Sequence, residues 1–123
     1  RVLLDTHALV WALAGDDRLS ETARTTIEDE SNEVFVSVVS AWEMAVKRVQ
    51  GKLSTPDDLE EVIVDAGFVP RLVRFADCQR LTTLPSIHRD PFDRMLVCQA
   101  TEDGIPLVTR DPTVARYPIQ TLW

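Results

Sequence analysis

No long hydrophobic run is present in the sequence, and this absence limits where the protein can reside. No apolar stretch approaches the roughly 20 residues that a helix needs to cross a bilayer. The opening run Val2-Leu3-Leu4 ends at Asp5, which is too soon for the apolar region of a signal peptide. We therefore expect a soluble, cytoplasmic protein with no membrane partner.

Cysteine is scarce as well. The two cysteines among 123 residues, Cys78 and Cys98, have neither the paired spacing of a zinc site nor the density of a secreted disulfide scaffold. Both lie in segments that we predict to be helical. We expect two buried free thiols.

Positive charge is in deficit, because 13 lysines and arginines stand against 20 aspartates and glutamates, for a formal net charge of −7. This balance argues against a protein that holds nucleic acid through an overall basic field, and taken alone it favours an enzyme acting on a small molecule. A nuclease remains compatible with it if divalent cations neutralise clustered carboxylates while local basic residues contact phosphates.

Linkers, internal repeats and low-complexity tracts are also absent. A chain of 123 residues with 45% hydrophobic content can form one compact core but not two independent domains. We expect a single domain that covers residues 1–123.

Short apolar runs alternate with helical segments along the chain. The predicted strands cover residues 2–4, 34–39, 69–73, 106–109 and 119–122. The predicted helices cover residues 6–14, 21–30, 41–50, 56–66, 76–81 and 91–103. Apolar strands that alternate with helices predict an α/β fold with three α/β/α layers around a largely parallel central sheet.

Four acidic residues fall where such a fold would bring them together. Asp5 ends the first strand, and Asp111 follows the strand that ends at Thr109. Glu43 and Asp93 each lie in the predicted first turn of a helix. Ligands of a parallel sheet bind beyond the carboxyl ends of its strands, so we expect the four carboxylates to converge there.

Converging carboxylates repel one another unless some are protonated or a cation binds. Hard oxygen ligands in a partly open site suit Mg²⁺ or Mn²⁺. Such a site activates water for attack on a phosphodiester bond without a serine or cysteine nucleophile. The hydroxyls of Thr6 and Thr109, which lie close to these acids in sequence, are candidates to position a ligand or the water.

Glu43 has a structural alternative. It completes a capping box with Ser40, and it precedes Lys47 by four residues, in the favourable order for an ion pair on a helix. The sequence leaves this alternative open.

The aspartates have structural alternatives too. We interpret Asp90 as the cap of the helix that begins at Pro91, and the helix dipole favours Asp93 in the first turn. Asp111 before a proline is a common turn residue. Asp5 has the weakest explanation of this kind, since it directly ends an apolar strand.

The histidines and tryptophans give weaker signals. His7 and His88 have no partner at metal-ligand spacing, and nothing in the sequence brings them together as the acid–base pair of a metal-independent ribonuclease. Trp11 and Trp42 lie among apolar residues of predicted helices, and we expect both in the core rather than stacked on bases.

Basic residues lie beside the predicted acidic site. Lys47, Arg89 and Arg94 are candidate contacts to the phosphates of RNA. Ion pairs with the neighbouring acids explain the same three residues about as well.

Four motifs of the chain resemble those of PIN domains, and more narrowly those of the VapC-type toxins of bacterial and archaeal toxin–antitoxin modules. They are Leu-Leu-Asp-Thr-His at 3–7, Trp-Glu-Met-Ala-Val-Lys at 42–47, Asp-Pro-Phe-Asp-Arg-Met-Leu at 90–96 and Leu-Val-Thr-Arg-Asp at 107–111. The resemblance runs from Val2 to about Tyr117.

This resemblance implies an endoribonuclease that depends on Mg²⁺ or Mn²⁺, with Asp5, Glu43, Asp93 and Asp111 as catalytic metal ligands and Thr109 as an accessory hydroxyl. It also implies an RNA substrate, a homodimer and a cognate antitoxin that covers the site. A phosphatase of the haloacid-dehalogenase type needs a second aspartate where this chain has His7. A non-catalytic PIN-like module would lack an acid, whereas all four are present.

Overall fold

The apolar runs of the sequence form a five-stranded sheet, and the segments between them form six helices, in a computed structural model that describes residues 1–123. The strands are β1 Val2–Leu4, β2 Val34–Ser37, β3 Val69–Arg71, β4 Leu107–Val108 and β5 Thr121–Leu122. The helices are α1 Thr6–Ala14, α2 Glu21–Glu28, α3 Val38–Val49, α4 Leu59–Asp65, α5 Phe75–Leu81 and α6 Pro91–Asp103, with a short 3₁₀ helix at Val114–Arg116. None of the helices is long and apolar enough to cross a membrane.

The strands lie in the order β3-β2-β1-β4-β5, and every neighbouring pair is parallel. In the central strand, Leu3 lies opposite Phe35 on one side and Leu107 on the other. Because all strands run in the same direction, their carboxyl ends meet at one edge of the sheet. The predicted α/β architecture with a parallel central sheet is confirmed.

Two hydrophobic cores cover the two faces of the sheet, because successive side chains of a strand point to opposite faces. Leu4 packs in the core to which α1 to α4 contribute, where its buried neighbours include Leu9 and Met44. Leu3 packs in the other core, with Leu96 and Val97 of α6. The central strand therefore holds both helical layers together.

The start of α3 differs from the prediction. Ser37, not Ser40, is the N-cap, and its Oγ accepts a hydrogen bond of 3.0 Å from the amide of Val39. The predicted capping box of Ser40 and Glu43 is therefore wrong, and Glu43 lies in the second turn of the helix. The β-branched residues Val38 and Val39 fit a strand as well as a helix start, so the hydrophobic pattern could not locate the boundary.

Two other helix ends were also predicted incorrectly. Helix α4 begins at Leu59 rather than at Pro56, because Asp57 and Asp58 form a turn before it and Asp58 makes no capping hydrogen bond. Helix α2 ends at Glu28, two residues earlier than predicted, although Ser20 caps it as expected.

Two side chains predicted to be buried are exposed. Trp42 is 62% exposed, because it lies on the outer side of α3 and meets only the edge of the Phe92 ring, at 4.9 Å between ring centroids. Cys78 is exposed on α5, whereas Cys98 is buried, and both are free thiols. Trp11 is buried, as predicted.

A buried ion-pair network ties β3 to α5 and α6. The guanidinium of Arg71 donates two hydrogen bonds to Asp77, of 2.7 and 2.8 Å, and two more to Asp103 at the end of α6. Burial alone would raise the pKa of Asp77, but the bonds from Arg71 and the amide of Arg74 outweigh it and hold this pKa below its ordinary value. The network holds the edge strand β3 to the outer helices.

We predict that Asp77→Asn lowers the free energy of unfolding by roughly 1–3 kcal/mol, because the buried charge of Arg71 keeps Asp103 as a partner but loses one of its two carboxylates. Asp57→Asn is the matched control, since Asp57 pairs with Arg48 at 2.6 Å on the surface and its loss should change stability by less than about 1 kcal/mol. Urea unfolding of both variants measures the difference. Equally small losses would contradict a stabilising role for the network.

Candidate active site

Asp5 lies at the carboxyl end of β1, with 5% of its surface exposed. Its Oδ1 accepts a 2.7 Å hydrogen bond from the amide of Ala8, so Asp5 is the N-cap of α1. Asp5 therefore has a structural role as well, which its position at the end of an apolar strand did not indicate. Burial raises the pKa of Asp5, with a smaller contribution in the same direction from Glu43, whereas the Thr109 hydroxyl and the Ala8 amide lower it. Burial dominates this balance.

Glu43 is 4% exposed and reaches the same edge of the sheet from α3. Its Oε2 lies 2.8 Å from Nζ of Lys47, four residues along the helix, as the sequence spacing predicted. Its Oε1 is buried and has no hydrogen-bond partner. A buried carboxylate oxygen without a donor is costly, so this atom is available to a water or a cation from outside the chain.

Asp93 lies in the first turn of α6, which Asp90 caps through hydrogen bonds of 2.8 and 3.2 Å from the amides of Phe92 and Asp93. Burial and the negative charges of Asp90, Glu43 and Asp5 raise the pKa of Asp93 to about 7, although His88 acts in the opposite direction. The Asp93 carboxyl is therefore surrounded by like charge.

Asp111 follows β4 in a tight loop. Its amide donates to Oγ1 of Thr109 at 3.0 Å, and its Oδ1 accepts from the amide of Thr113 at 2.8 Å. Burial alone would raise the pKa of Asp111, but the hydrogen bonds from His88 and Thr113 outweigh it and lower the pKa. Asp111 therefore loses its proton at lower pH than Asp93.

His88 joins two of these acids. Its Nε2 lies 2.7 Å from Oδ2 of Asp111 and 3.3 Å from Oδ2 of Asp93. Its Nδ1 accepts a 3.0 Å hydrogen bond from the amide of Asp90, which requires Nδ1 to be unprotonated and assigns the proton to Nε2. The imidazole therefore donates its one N–H to Asp111 and lies beside Asp93.

The structure brings the predicted acids into two linked groups. Ligand atoms of His88, Asp93 and Asp111 lie within 4.8 Å of one another. Asp5 and Glu43 lie near enough to Asp93 for their negative charges to raise its pKa. Thr6 lies behind the site, where its hydroxyl donates to Oγ of Ser40 at 3.0 Å and links the start of α1 to α3.

The residues fit a hard divalent cation. All four predicted ligands offer carboxylate oxygens, the ligands that Mg²⁺ and Mn²⁺ prefer. The unpartnered Oε1 of Glu43 and the raised pKa of Asp93 both mark negative charge that the chain itself does not neutralise. A cation among these oxygens would remove both deficits.

The three candidate phosphate contacts have different surroundings. Lys47 is paired with Glu43 at 2.8 Å. The guanidinium of Arg94 donates to the carbonyl of Pro85 at 3.0 Å and to the hydroxyl of Tyr117 at 3.2 Å. Arg89 is exposed and makes no ion pair, so it is the candidate of the three whose charge is free to bind phosphate.

Sequence reasoning missed His88. No second histidine or cysteine lies at metal-ligand spacing from His88 in the sequence. Its partners are instead Asp111, 23 residues away, and the amide of Asp90. The local signal was the position of His88 two residues before a predicted helix cap, where a ring nitrogen can accept from the backbone.

Comparison with known proteins agrees with this architecture. Residues 2–120 match the PIN domain family. The ribonuclease VapC22 of Mycobacterium tuberculosis is 35% identical to the chain over 118 residues, which are 89% of this chain and 86% of that protein.

Solved structures share the fold. The chain is similar to VapBC2 from Rickettsia felis bound to a promoter DNA fragment, with a TM-score of 0.71 and 13% identity, and to FitAcB from Neisseria gonorrhoeae, with a TM-score of 0.64 and 12% identity. Each likeness covers 98% of this chain and 96% of the other. From the matched span and this identity over most of both sequences, the chain belongs to the PIN domain family, in the branch of the VapC ribonucleases.

Proposed function

We propose that the protein is a metal-dependent endoribonuclease and the toxin of a toxin–antitoxin pair. The observation that carries the proposal is the group of buried and half-buried acids at the carboxyl edge of the sheet, where the pKa of Asp93 is raised to about 7 and Oε1 of Glu43 has no partner. The name of the M. tuberculosis relative, a ribonuclease, supports RNA as the substrate.

Asp5, Glu43, Asp93 and Asp111 would hold Mg²⁺ or Mn²⁺. When bound, the cation supplies activation of water and charge neutralisation for phosphodiester hydrolysis. The chain's own residues prepare that site: His88 donates from Nε2 to Asp111 at 2.7 Å, and Thr109 orients both Asp5 and the loop of Asp111. Groups that fix the orientation of ligands in this way raise metal affinity.

A similar solved structure also supports a protein partner for this chain. The R. felis structure is of a VapBC2 assembly, which supports an antitoxin as the partner of this chain as well. We further propose that the protein forms a homodimer in the cytoplasm. Arg89, exposed beside the acidic site, would contact the phosphate backbone of the RNA.

We predict that the purified protein cleaves RNA with Mn²⁺ or Mg²⁺ and leaves 5′-phosphates, because a water attacks the phosphorus atom instead of the 2′-hydroxyl of the substrate. EDTA should abolish cleavage, and Asp93→Asn should remove most of it. Sequencing of the product ends checks the chemistry. Cyclic phosphate products, or undiminished cleavage in EDTA, would exclude the metal-dependent mechanism.

The same variant tests the toxin in cells. Expression of the wild-type protein should arrest growth, whereas Asp93→Asn at equal abundance should not. If expression is harmless although the purified protein cleaves RNA, the toxin assignment is rejected and the ribonuclease assignment stands.

Glu43→Gln should lower turnover by at least about tenfold at limiting Mn²⁺, because a neutral amide is a poor ligand for a hard cation. Since Ser37 caps α3, the remaining structural role of Glu43 is the ion pair with Lys47. Lys47→Met removes that pair and keeps the carboxylate, so it is the matched control. Turnover of both variants across a manganese titration separates the two roles, and equal losses would assign Glu43 to the ion pair alone.

The raised pKa of Asp93 predicts a pH dependence of stability without metal. Its pKa is about 7 in the folded chain against an ordinary value of 3.8, so Asp93 favours folding fully at low pH, and this contribution is lost as pH rises through about 7. In EDTA, the melting temperature of the wild type should therefore fall relative to that of Asp93→Asn between about pH 5 and pH 8. Asp57→Asn serves as the control on an exposed aspartate. A difference in melting temperature between wild type and Asp93→Asn that does not change with pH would contradict a raised pKa at Asp93.

A further inference from the structure

An exposed histidine is stacked on a buried tryptophan beside the acidic site. The rings of His7 and Trp11 lie 5.4 Å apart at an angle of 19°, one turn apart on α1, where residues four positions apart are neighbours. Trp11 is 5% exposed, whereas His7 is exposed and neither of its ring nitrogens makes a hydrogen bond within the chain. The buried indole therefore supports an imidazole that faces solvent.

Arg110, which makes no ion pair, lies over the ring of the same tryptophan. The guanidinium carbon of Arg110 is 4.6 Å from the centre of the Trp11 ring, and Arg110 is exposed and makes no ion pair or side-chain hydrogen bond. Arg18 lies over the same ring at 5.1 Å, but its charge is taken up by Asp16 at 2.7 Å. Of the two arginines, only Arg110 keeps its charge and its donors free.

His7 and Arg110 are both close in sequence to acids of the site, and the parallel sheet brings the two segments to the same edge. His7 follows Asp5 by two residues, and Arg110 immediately precedes Asp111. Their strands β1 and β4 are parallel neighbours, with Leu4 opposite Val108. His7 and Arg110 therefore follow neighbouring strands at the carboxyl edge of the sheet that also carries Asp5 and Asp111.

We propose that His7 and Arg110 form a nucleotide-binding subsite for single-stranded RNA, in which the imidazole stacks on a base and the guanidinium binds an adjoining phosphate. Aromatic faces accept any base, and arginine binds phosphate with several donors at once. This subsite rests on the proposed ribonuclease function. It supplies local positive charge to a chain whose net charge is −7.

The competing explanation is structural. A His7–Trp11 pair four residues apart can stabilise α1, and Arg110 can shield the indole from water, without any ligand. Under that explanation, substitutions at His7 or Arg110 would change the melting temperature and leave the dependence of cleavage on RNA concentration as it is.

The test is steady-state cleavage of a random-sequence single-stranded oligoribonucleotide that carries a fluorophore and a quencher. His7→Ala should raise KM about tenfold with little change in kcat, because a stacked base contributes to binding of substrate and transition state alike. His7→Phe, which restores an aromatic face without a charge, should restore the wild-type KM. Failure of this rescue would reject stacking.

Arg110→Met keeps an unbranched side chain on Trp11 and removes the charge. It should raise KM and reduce the dependence of log KM on log salt concentration by about 0.7, the value for one phosphate contact on a single strand. Arg18→Met is the matched control over the same ring and should leave this slope unchanged.

The outcomes separate the subsite from the function. Wild-type KM values and salt slopes for His7→Ala and Arg110→Met, in a protein that cleaves RNA, would overturn the subsite and leave the ribonuclease intact. A wild-type protein that neither cleaves nor binds RNA would overturn both.

Discussion

Carboxylates gathered at one end of a sheet repel one another, and the chain offsets this repulsion differently at each position. Asp111 receives hydrogen bonds from His88 and Thr113 and remains ionised. Glu43 has Lys47 at one oxygen and nothing at the other. Asp93 has too little compensation, and its pKa rises to about 7. The compensation is incomplete, and the remaining negative charge favours the binding of a cation at this edge.

Helix starts supply part of this compensation. In a parallel sheet, the chain leaves each strand at the carboxyl edge and usually enters a helix there, so amide groups and the positive end of the helix dipole face the site. Asp5 and Asp90 use those amides as caps of α1 and α6. A capping role and a functional role are therefore compatible for one carboxylate, since one oxygen can accept from the backbone while the other faces the site.

Much of the fold and the clustering of acids could be predicted, because both depend on local patterns. Short apolar runs predicted the strands, and the parallel order then placed Asp5 and Asp111 at the same edge. The start of α3 could not be predicted, since Val38 and Val39 suit either element. His88 was missed because its hydrogen-bond partner Asp111 lies 23 residues away in sequence. The exposure of Trp42 was missed because an apolar neighbourhood in sequence does not fix which face of a helix is covered.

Arg94 illustrates how a basic residue beside an acidic site can act without touching a substrate. Its guanidinium holds the carbonyls of Pro85 and His88 and the hydroxyl of Tyr117, and the Tyr117 hydroxyl in turn accepts from the amide of His88. The segment that presents the imidazole is thus fastened to two distant parts of the chain. Its conformational entropy is lost when the protein folds, not when the ligands assemble, so the site is preorganised and needs little rearrangement to bind.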